Sequence, residues 1–366
     1  MSARQSYFTT PIYYVSDKPH LGSAYTSILA DVSKRYCQLF GDEAYMLTGV
    51  DEHGQKVQEA AESRGLDPKQ HVDDLQKAFR ELLPLMGVEH DDFIRTTEER
   101  HTRVVKAVLQ DLFDKGDIYQ GDYEGWYSVR AERFFTEKDL VDGKCPDTGG
   151  PVERIREKNY FFKMGSYQQQ LIDHMEANPD WIQPPSRWKE VRSFLNKPLH
   201  DLNVSRPVTR LHWGIPLPFD EEYVTYVWFD ALLNYISSIG YKSDDARFER
   251  LWSGAHHLLG KDILITHSVY WGTMLLAMGV PLPKHLVAHG WWLADNTKMS
   301  KSLGNVIDPI VLSDTYGRDV LRYVLMRDMT LGLDASFHEE MLVRRNNSDL
   351  SNDLGNLLRR SLAIVR

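Results

Sequence analysis

Apolar and polar positions divide this 366-residue chain into short strand-like runs separated by helical patterns. Residues 7–15 read as a first strand. Tyr25, Ile28, Leu29, Val32, Tyr36, Leu39 and Phe40 then recur at helical spacing until Gly41 stops the pattern. Residues 45–50 read as a second strand that runs into Asp51-Glu52-His53-Gly54, followed by a helix from about residue 55 to 64. Residues 93–95 suit a short strand. Val105, Val108, Leu109, Leu112 and Phe113 mark the next helix, with Gly116 as its stop. Strands alternating with helices predict βαβ units around a parallel sheet.

From 116 to 222 the rhythm breaks. Turn residues cluster, as in Asp147-Thr148-Gly149-Gly150-Pro151, and short strand-like pieces such as 160–163 appear. This reads as an insertion between two halves of one nucleotide-binding fold. The rhythm resumes at 223–229, an unusually aromatic stretch taken as a strand, then at 257–259 and 285–288. Beyond Asp308 the pattern is helical. The expected organisation is therefore 1–115 and 223–295 as the two halves of a doubly wound α/β domain, 116–222 as an inserted domain, 296–350 as a connecting segment and 351–366 as a last helical piece.

Composition narrows the class only a little. The formal charge of -9 argues against nucleic-acid binding by bulk attraction, although Arg344, Arg345, Arg359 and Arg360 could form a local basic stripe. Two cysteines, Cys37 and Cys145, make no disulfide framework and fit a reducing cytoplasm. No apolar run has spanning length, so no membrane role is expected.

Two segments carry the strongest chemistry. Pro19-His20-Leu21-Gly22-Ser23 sits where a strand gives way to a helix, whose first N–H groups attract phosphate. Lys298-Met299-Ser300-Lys301-Ser302 is a cationic loop far along the chain. Together they describe a site for a polyphosphate whose negative charge grows during reaction. Separately, the first is an ordinary turn and the second a solvated lysine pair. Asp51 ends a parallel strand, where ligands bind in such folds, so it can hold an ammonium; it can equally cap the next helix. His267 and Trp271 share a helix face, which suits either core packing or a pocket for a thioether.

These motifs, with residues 10–15, Gly49-Val50-Asp51-Glu52-His53-Gly54, residues 93–97, Trp213-Gly214-Ile215-Pro216, residues 226–231, residues 260–263, residues 298–305 and Asp353-Leu354-Gly355-Asn356, resemble the methionyl-tRNA synthetases, a class I family. The resemblance implies a Rossmann-type catalytic domain, an inserted connective peptide, a stem-contact segment around the lysine loop and the start of an anticodon-binding bundle, most of which is expected to be lacking after Arg366. It implies a methionine pocket of Ile12, Asp51, Trp228, Tyr235, His267 and Trp271. ATP would meet His20, Gly22, Ser23, Gly260, Asp262 and Lys301. Catalysis would rest on His20, Lys298, Lys301 and Arg206, and anticodon reading on Asn356 and Arg360. Where the family signature ends in a second His, this chain has Ser23, whose hydroxyl can still donate. Where many members hold zinc, it has Ser128, Ala131, Cys145 and Thr148. One thiolate cannot hold a tetrahedral zinc, so a metal-free hairpin built on Trp126, Tyr127, Phe134 and Phe135 is expected.

The implied reaction is attack of the methionine carboxylate on the α-phosphate of ATP, brought with Mg²⁺, then transfer of the methionyl group to tRNA(Met) by a cytoplasmic monomer. Two other readings stay open: a small-molecule nucleotidyltransferase of the same superfold, and a non-catalytic synthetase-like binding module.

Overall fold

The computed structural model describes residues 4–15, 18–128, 133–135, 137–146, 149–299 and 304–365. Its centre is a seven-stranded sheet in which every pairing is parallel. Asp92–Arg95 pairs with Glu43–Asp51, which pairs with Gln5–Thr9. Next come Ala255–Gly260, His285–His289 and finally Ile182–Gln183. Tyr13–Tyr14 adds to the end of Glu43–Asp51. Alternate residues supply two cores, one per face. Tyr7, Leu47, Leu259 and Ala288 pack on one side, and Phe8, Met46, Val50 and Leu258 on the other. Burial on both faces explains why these strands read as near-continuous apolar runs.

The order reverses between Gln5–Thr9 and Ala255–Gly260, strands adjacent in space and far apart in sequence. Such a switch opens a crevice at the carboxyl ends of the two strands. Helix Leu21–Leu39 starts at that end, and the Phe40-Gly41 turn closes it with Gly41 at φ 83°. Asp67 caps helix Pro68–Leu85 and Asp308 caps Pro309–Tyr316. Each accepts backbone N–H bonds ahead of a proline suited to the first helical position.

Three expectations change. The run expected as one strand over 7–15 is two, Gln5–Thr9 and Tyr13–Tyr14, with Pro11 unable to extend the ladder between them. The aromatic stretch 223–229 is not a strand of the parallel sheet. Asp220–Thr225 pairs antiparallel with Ser205–Pro207 and Pro216–Leu217, and the chain then turns into helix Val227–Leu232. The ladder ends at Thr225, and the carbonyl of Tyr226 instead accepts the N–H groups of Phe229 and Asp230, which starts the helix. Third, residues 116–222 do not stand wholly apart. Ile118–Ser128, Arg133–Phe135, Glu153–Phe162 and Leu202–Asn203 form a separate antiparallel sheet, yet Ile182–Gln183 becomes the edge strand of the central one. Two residues are too short for periodicity to reveal.

Trp292–Ala294 and Thr297–Lys298 form a hairpin leading into the lysine loop, turning at Asp295 and Asn296, both at positive φ as a type I′ turn needs. Trp292–Ala294 also runs parallel to Ala335–Phe337. Ser300, Lys301 and Ser302 lie outside the described residues, as do Ala131 and Thr148. Among the described residues no helix is long and apolar enough to cross a membrane.

Candidate active site

At the helix end, His20 is the cap of Leu21–Leu39. Its Nδ1 accepts the backbone N–H of Gly22 at 3.0 Å. A neutral ring accepting at Nδ1 carries its proton on Nε2, a donor suited to a phosphate oxygen. A Cβ on residue 22 would lie 2.8 Å from the His20 ring. Gly22 therefore makes room for the capping imidazole. Ser23 is buried in the first turn, and its carbonyl accepts from the Tyr13 hydroxyl at 3.0 Å.

Across the switch, strand Ala255–Gly260 ends in Gly260-Lys261-Asp262. A Cβ on residue 260 would meet the Asp262 carboxylate at 2.6 Å. Asp262 Oδ1 accepts the Trp291 indole N–H at 3.2 Å. His289 ties the two halves together: its Nε2 lies 2.8 Å from the hydroxyl of Thr26, on the helix that His20 caps, and its Nδ1 donates to the Gly290 carbonyl. Burial holds the His289 imidazole neutral by lowering its pKa.

The side-chain cluster beside this crevice is aromatic. His267 lies in a π-helical turn, Thr266–Tyr270, of a kind often found at functional sites, and Trp271, with no solvent exposure, follows it directly. The Tyr235 hydroxyl lies 2.8 Å from His267 Nε2, and His267 Nδ1 lies 2.9 Å from the Ile263 carbonyl. A carbonyl only accepts, so Nδ1 carries the ring proton and Nε2 accepts from Tyr235. Burial pushes the His267 pKa down to about 4 and that of the Tyr235 hydroxyl well up, with the charge of Asp51 among the smaller causes of the latter. Both hydrogens of the pair are thus committed to the protein. What the pair offers a thioether is aromatic edge, not a hydrogen-bond donor.

Sequence reasoning missed His257. Its Nε2 accepts the Trp271 indole N–H at 3.1 Å, its Nδ1 donates to Thr9 at 2.7 Å, and its ring lies 4.2 Å from that of Tyr235. One buried histidine therefore joins both strands of the switch to the pocket wall. It also missed a His–Asp–His bridge. Asp230 accepts from His53 and His101 at 2.7 Å each, and its side chain is wholly buried. Burial alone would raise the Asp230 pKa; the two histidines outweigh that and lower it. In the sequence His53 lies in the motif 49–54 and Asp230 in residues 226–231, and nothing there joins the two or marks His101.

The remaining candidates are placed as follows. Asp51 is buried at the end of Glu43–Asp51, and Ile12 and Trp228 are half-buried against the same core as Tyr235. Arg206 is buried among protein groups, with its guanidinium over the rings of Tyr127 and Tyr226 at 5.1 and 4.5 Å and bonded to Asn203 at 2.9 Å. That pins the Ile118–Ser128 strand to the residues preceding Val227–Leu232. Asn356 and Arg360 are exposed on helix Asn356–Val365. Of the supposed basic stripe, Arg345 is paired with Asp328 and Asp349. Lys301 lies outside the described residues, whereas Lys298 is exposed at the end of its hairpin.

A capped helix end at a parallel-sheet switch and a lysine hairpin held against the Gly260-Lys261-Asp262 corner define the class. The family of class I tRNA synthetases (M) matches residues 6–155 and 149–362. A methionine–tRNA ligase of Rickettsia conorii is 51% identical over 360 residues, covering 98% of this chain and 70% of the relative. One of Clostridium tetani is 48% identical over 368 residues, covering 100% and 57%. Methionyl-tRNA synthetase of Mycobacterium tuberculosis in complex with methionyl-adenylate superposes with a TM-score of 0.94 at 41% identity, covering 99% of this chain and 72% of that one. The chain belongs to the methionyl-tRNA synthetase family. It spans 57% of the length of the Clostridium tetani relative and 56% of one from Halalkalibacterium halodurans.

Proposed function

We propose that this chain activates L-methionine with ATP, forming methionyl-adenylate and pyrophosphate, and passes the methionyl group to the 3′ end of tRNA(Met). The observation that carries the reading is the contact set around the switch: Thr26, on the His20-capped helix, bonds His289; Trp291, whose ring carries the Lys298 ammonium, donates to Asp262; and His267, paired with Tyr235, bonds the Ile263 carbonyl next to Asp262. Asp51 would hold the α-ammonium, while Ile12, Trp228 and Trp271 enclose the side chain. The carboxylate is already a nucleophile, so positioning and charge stabilisation do the work. His20 would donate from Nε2 to a phosphate oxygen. Lys298 and Lys301 would meet the departing pyrophosphate, with Gly22, Ser23, Gly260 and Asp262 around the nucleotide. Mg²⁺ would arrive with ATP on the phosphates; among the described residues no three His, Cys, Asp or Glu side chains converge to cage a metal. The contacts of Arg206 support a positioning role. Asn356 and Arg360 would face the anticodon. Cys37 and Cys145 are thiols and not a disulfide, which supports a cytoplasmic setting, and we take the working unit to be a monomer.

Methionine-dependent ATP–pyrophosphate exchange tests this reading. Exchange that appears only with methionine supports it; exchange driven equally by another small carboxylate, or none at all, sinks it. The reading also holds the Cys145 hairpin to be zinc-free. Metal analysis of protein purified without chelator should find no stoichiometric zinc, and zinc lost on Cys145→Ser would overturn that part.

A further inference from the structure

Two tryptophans follow Gly290 and do different things. Trp292 is buried against Tyr25 and Phe337. Trp291 stays half-exposed at the rim of the nucleotide crevice. Its ring lies under two ammonium groups, that of Lys298 at 3.8 Å from the ring centre and that of Lys261 at 4.2 Å. The ring is itself pinned. Its indole N–H donates to Asp262, and its backbone N–H donates to Asp334 Oδ1 at 2.8 Å. Asp334 Oδ2 in turn accepts from Lys261 at 2.7 Å.

The two lysines differ in what neutralises them. Lys261 has the Asp334 carboxylate, whereas among the described residues no carboxylate lies within ion-pair distance of Lys298. A carboxylate partner would cancel the Lys298 charge and compete with any phosphate for it. An aromatic face attracts the ammonium through its quadrupole and cancels nothing. Ring and ammonium also belong to one hairpin, because Trp291 immediately precedes Trp292–Ala294 and Lys298 ends the partner strand. The ring therefore fixes where the lysine loop departs.

We propose that Trp291 is a positioning residue for the adenylation site, holding the Lys298 ammonium charged and un-neutralised beside Lys261. A polyphosphate then meets two converged cations whose ordering is already in place. This rests on the proposed reaction for its purpose, while the contact itself concerns only pyrophosphate and this chain.

The test uses inorganic pyrophosphate as the probe, titrated calorimetrically into the whole chain, with methionine titrated separately. Trp291→Leu keeps an apolar side chain and loses the ring face; Trp291→Phe keeps a ring. The Leu variant should bind pyrophosphate about three- to ten-fold more weakly, the range expected for losing exposed cation–π contacts. Methionine binding should stay within about two-fold, and the Phe variant should recover most of the loss. In a Lys298→Met background, Trp291→Leu should cost clearly less than in the parent chain, because the Lys298 contact is already gone and only that with Lys261 remains. Parental affinity in the Leu variant, a Phe variant as weak as Leu, or losses that add in the double variant would each overturn the proposal. Should the Leu variant fail to fold, Trp291→Met takes its place under the same criteria. If the unsubstituted chain shows no methionine-dependent exchange, the proposed function fails and the pyrophosphate titration still decides on Trp291. Normal exchange with equal pyrophosphate affinities removes the Trp291 proposal alone.

Discussion

Single side chains at this site are set more by what they give up than by what they offer. His267 spends its one proton on the Ile263 carbonyl and its acceptor on Tyr235, so it cannot titrate without breaking both bonds. Its folded pKa, pushed down to about 4 by burial, lies below the unfolded value near 6.5, as does that of His256. The sign follows from proton counting. Between these values the unfolded chain binds more protons, so stability is full above pH 6.5 and is lost as pH falls toward 4. Melting temperature should drop steadily from pH 7 to pH 5, and His267→Gln should flatten that slope; an unchanged slope would mean His267 is not the titrating group. At fully developed loss, His267 alone accounts for on the order of 3 kcal/mol. In the proposed reaction Lys301 would make the opposite kind of contribution, its charge mattering most as pyrophosphate leaves. Lys301→Ala should lower the exchange rate by orders of magnitude with little change in ATP affinity, as steady-state and binding measurements can separate. A variant that binds ATP poorly but turns over normally would contradict this.

Among the elements, helix Val227–Leu232 shows where the sequence is legible and where it is not. Apolar runs ending in Gly or charged residues disclose the parallel strands, because both faces of that sheet are buried. The His20-Leu21-Gly22-Ser23 turn and the lysine segment from Lys298 are short, ordered motifs and stand out in the sequence equally well. The stretch after Tyr223 does not, because aromatic residues suit either a strand or a buried helix. The choice is made by the end of a ladder at Thr225, a tertiary fact. Likewise His53, His101 and Asp230 are ordinary residues in three separate segments until the fold brings them to 2.7 Å contacts. That bridge anchors the helix carrying Trp228 to the strand end carrying Asp51. Asp230→Asn leaves two buried imidazoles with a poorer partner, and should cost about 3–5 kcal/mol of stability. It should also raise the KM for methionine more than that for ATP. Denaturant titration and exchange kinetics together check this, and equal rises in both KM values would count against a role in placing the pocket wall.

On the scale of the whole molecule, the proposed methionine-site residues Asp51, Tyr235, His267 and Trp271 are buried in or against the central sheet, while Asn356 and Arg360 ride on a helix in which Leu357, Leu358, Leu362, Ile364 and Val365 are all exposed. The two activities should therefore separate. Arg360→Ala should leave pyrophosphate exchange unchanged and lower tRNA charging, measured side by side; parallel losses would place Arg360 in the catalytic unit instead. The switch between Gln5–Thr9 and Ala255–Gly260 has a consequence in time as well as space. The Thr9–His257 bond closes a separation of 248 residues, so a ribosome making roughly 5–20 residues per second needs about 12–50 s between the two partners. Throughout that interval the newborn first strand, with Tyr7 and Phe8 at its centre, has one unpaired edge, and the nascent chain must be shielded from its neighbours along that edge.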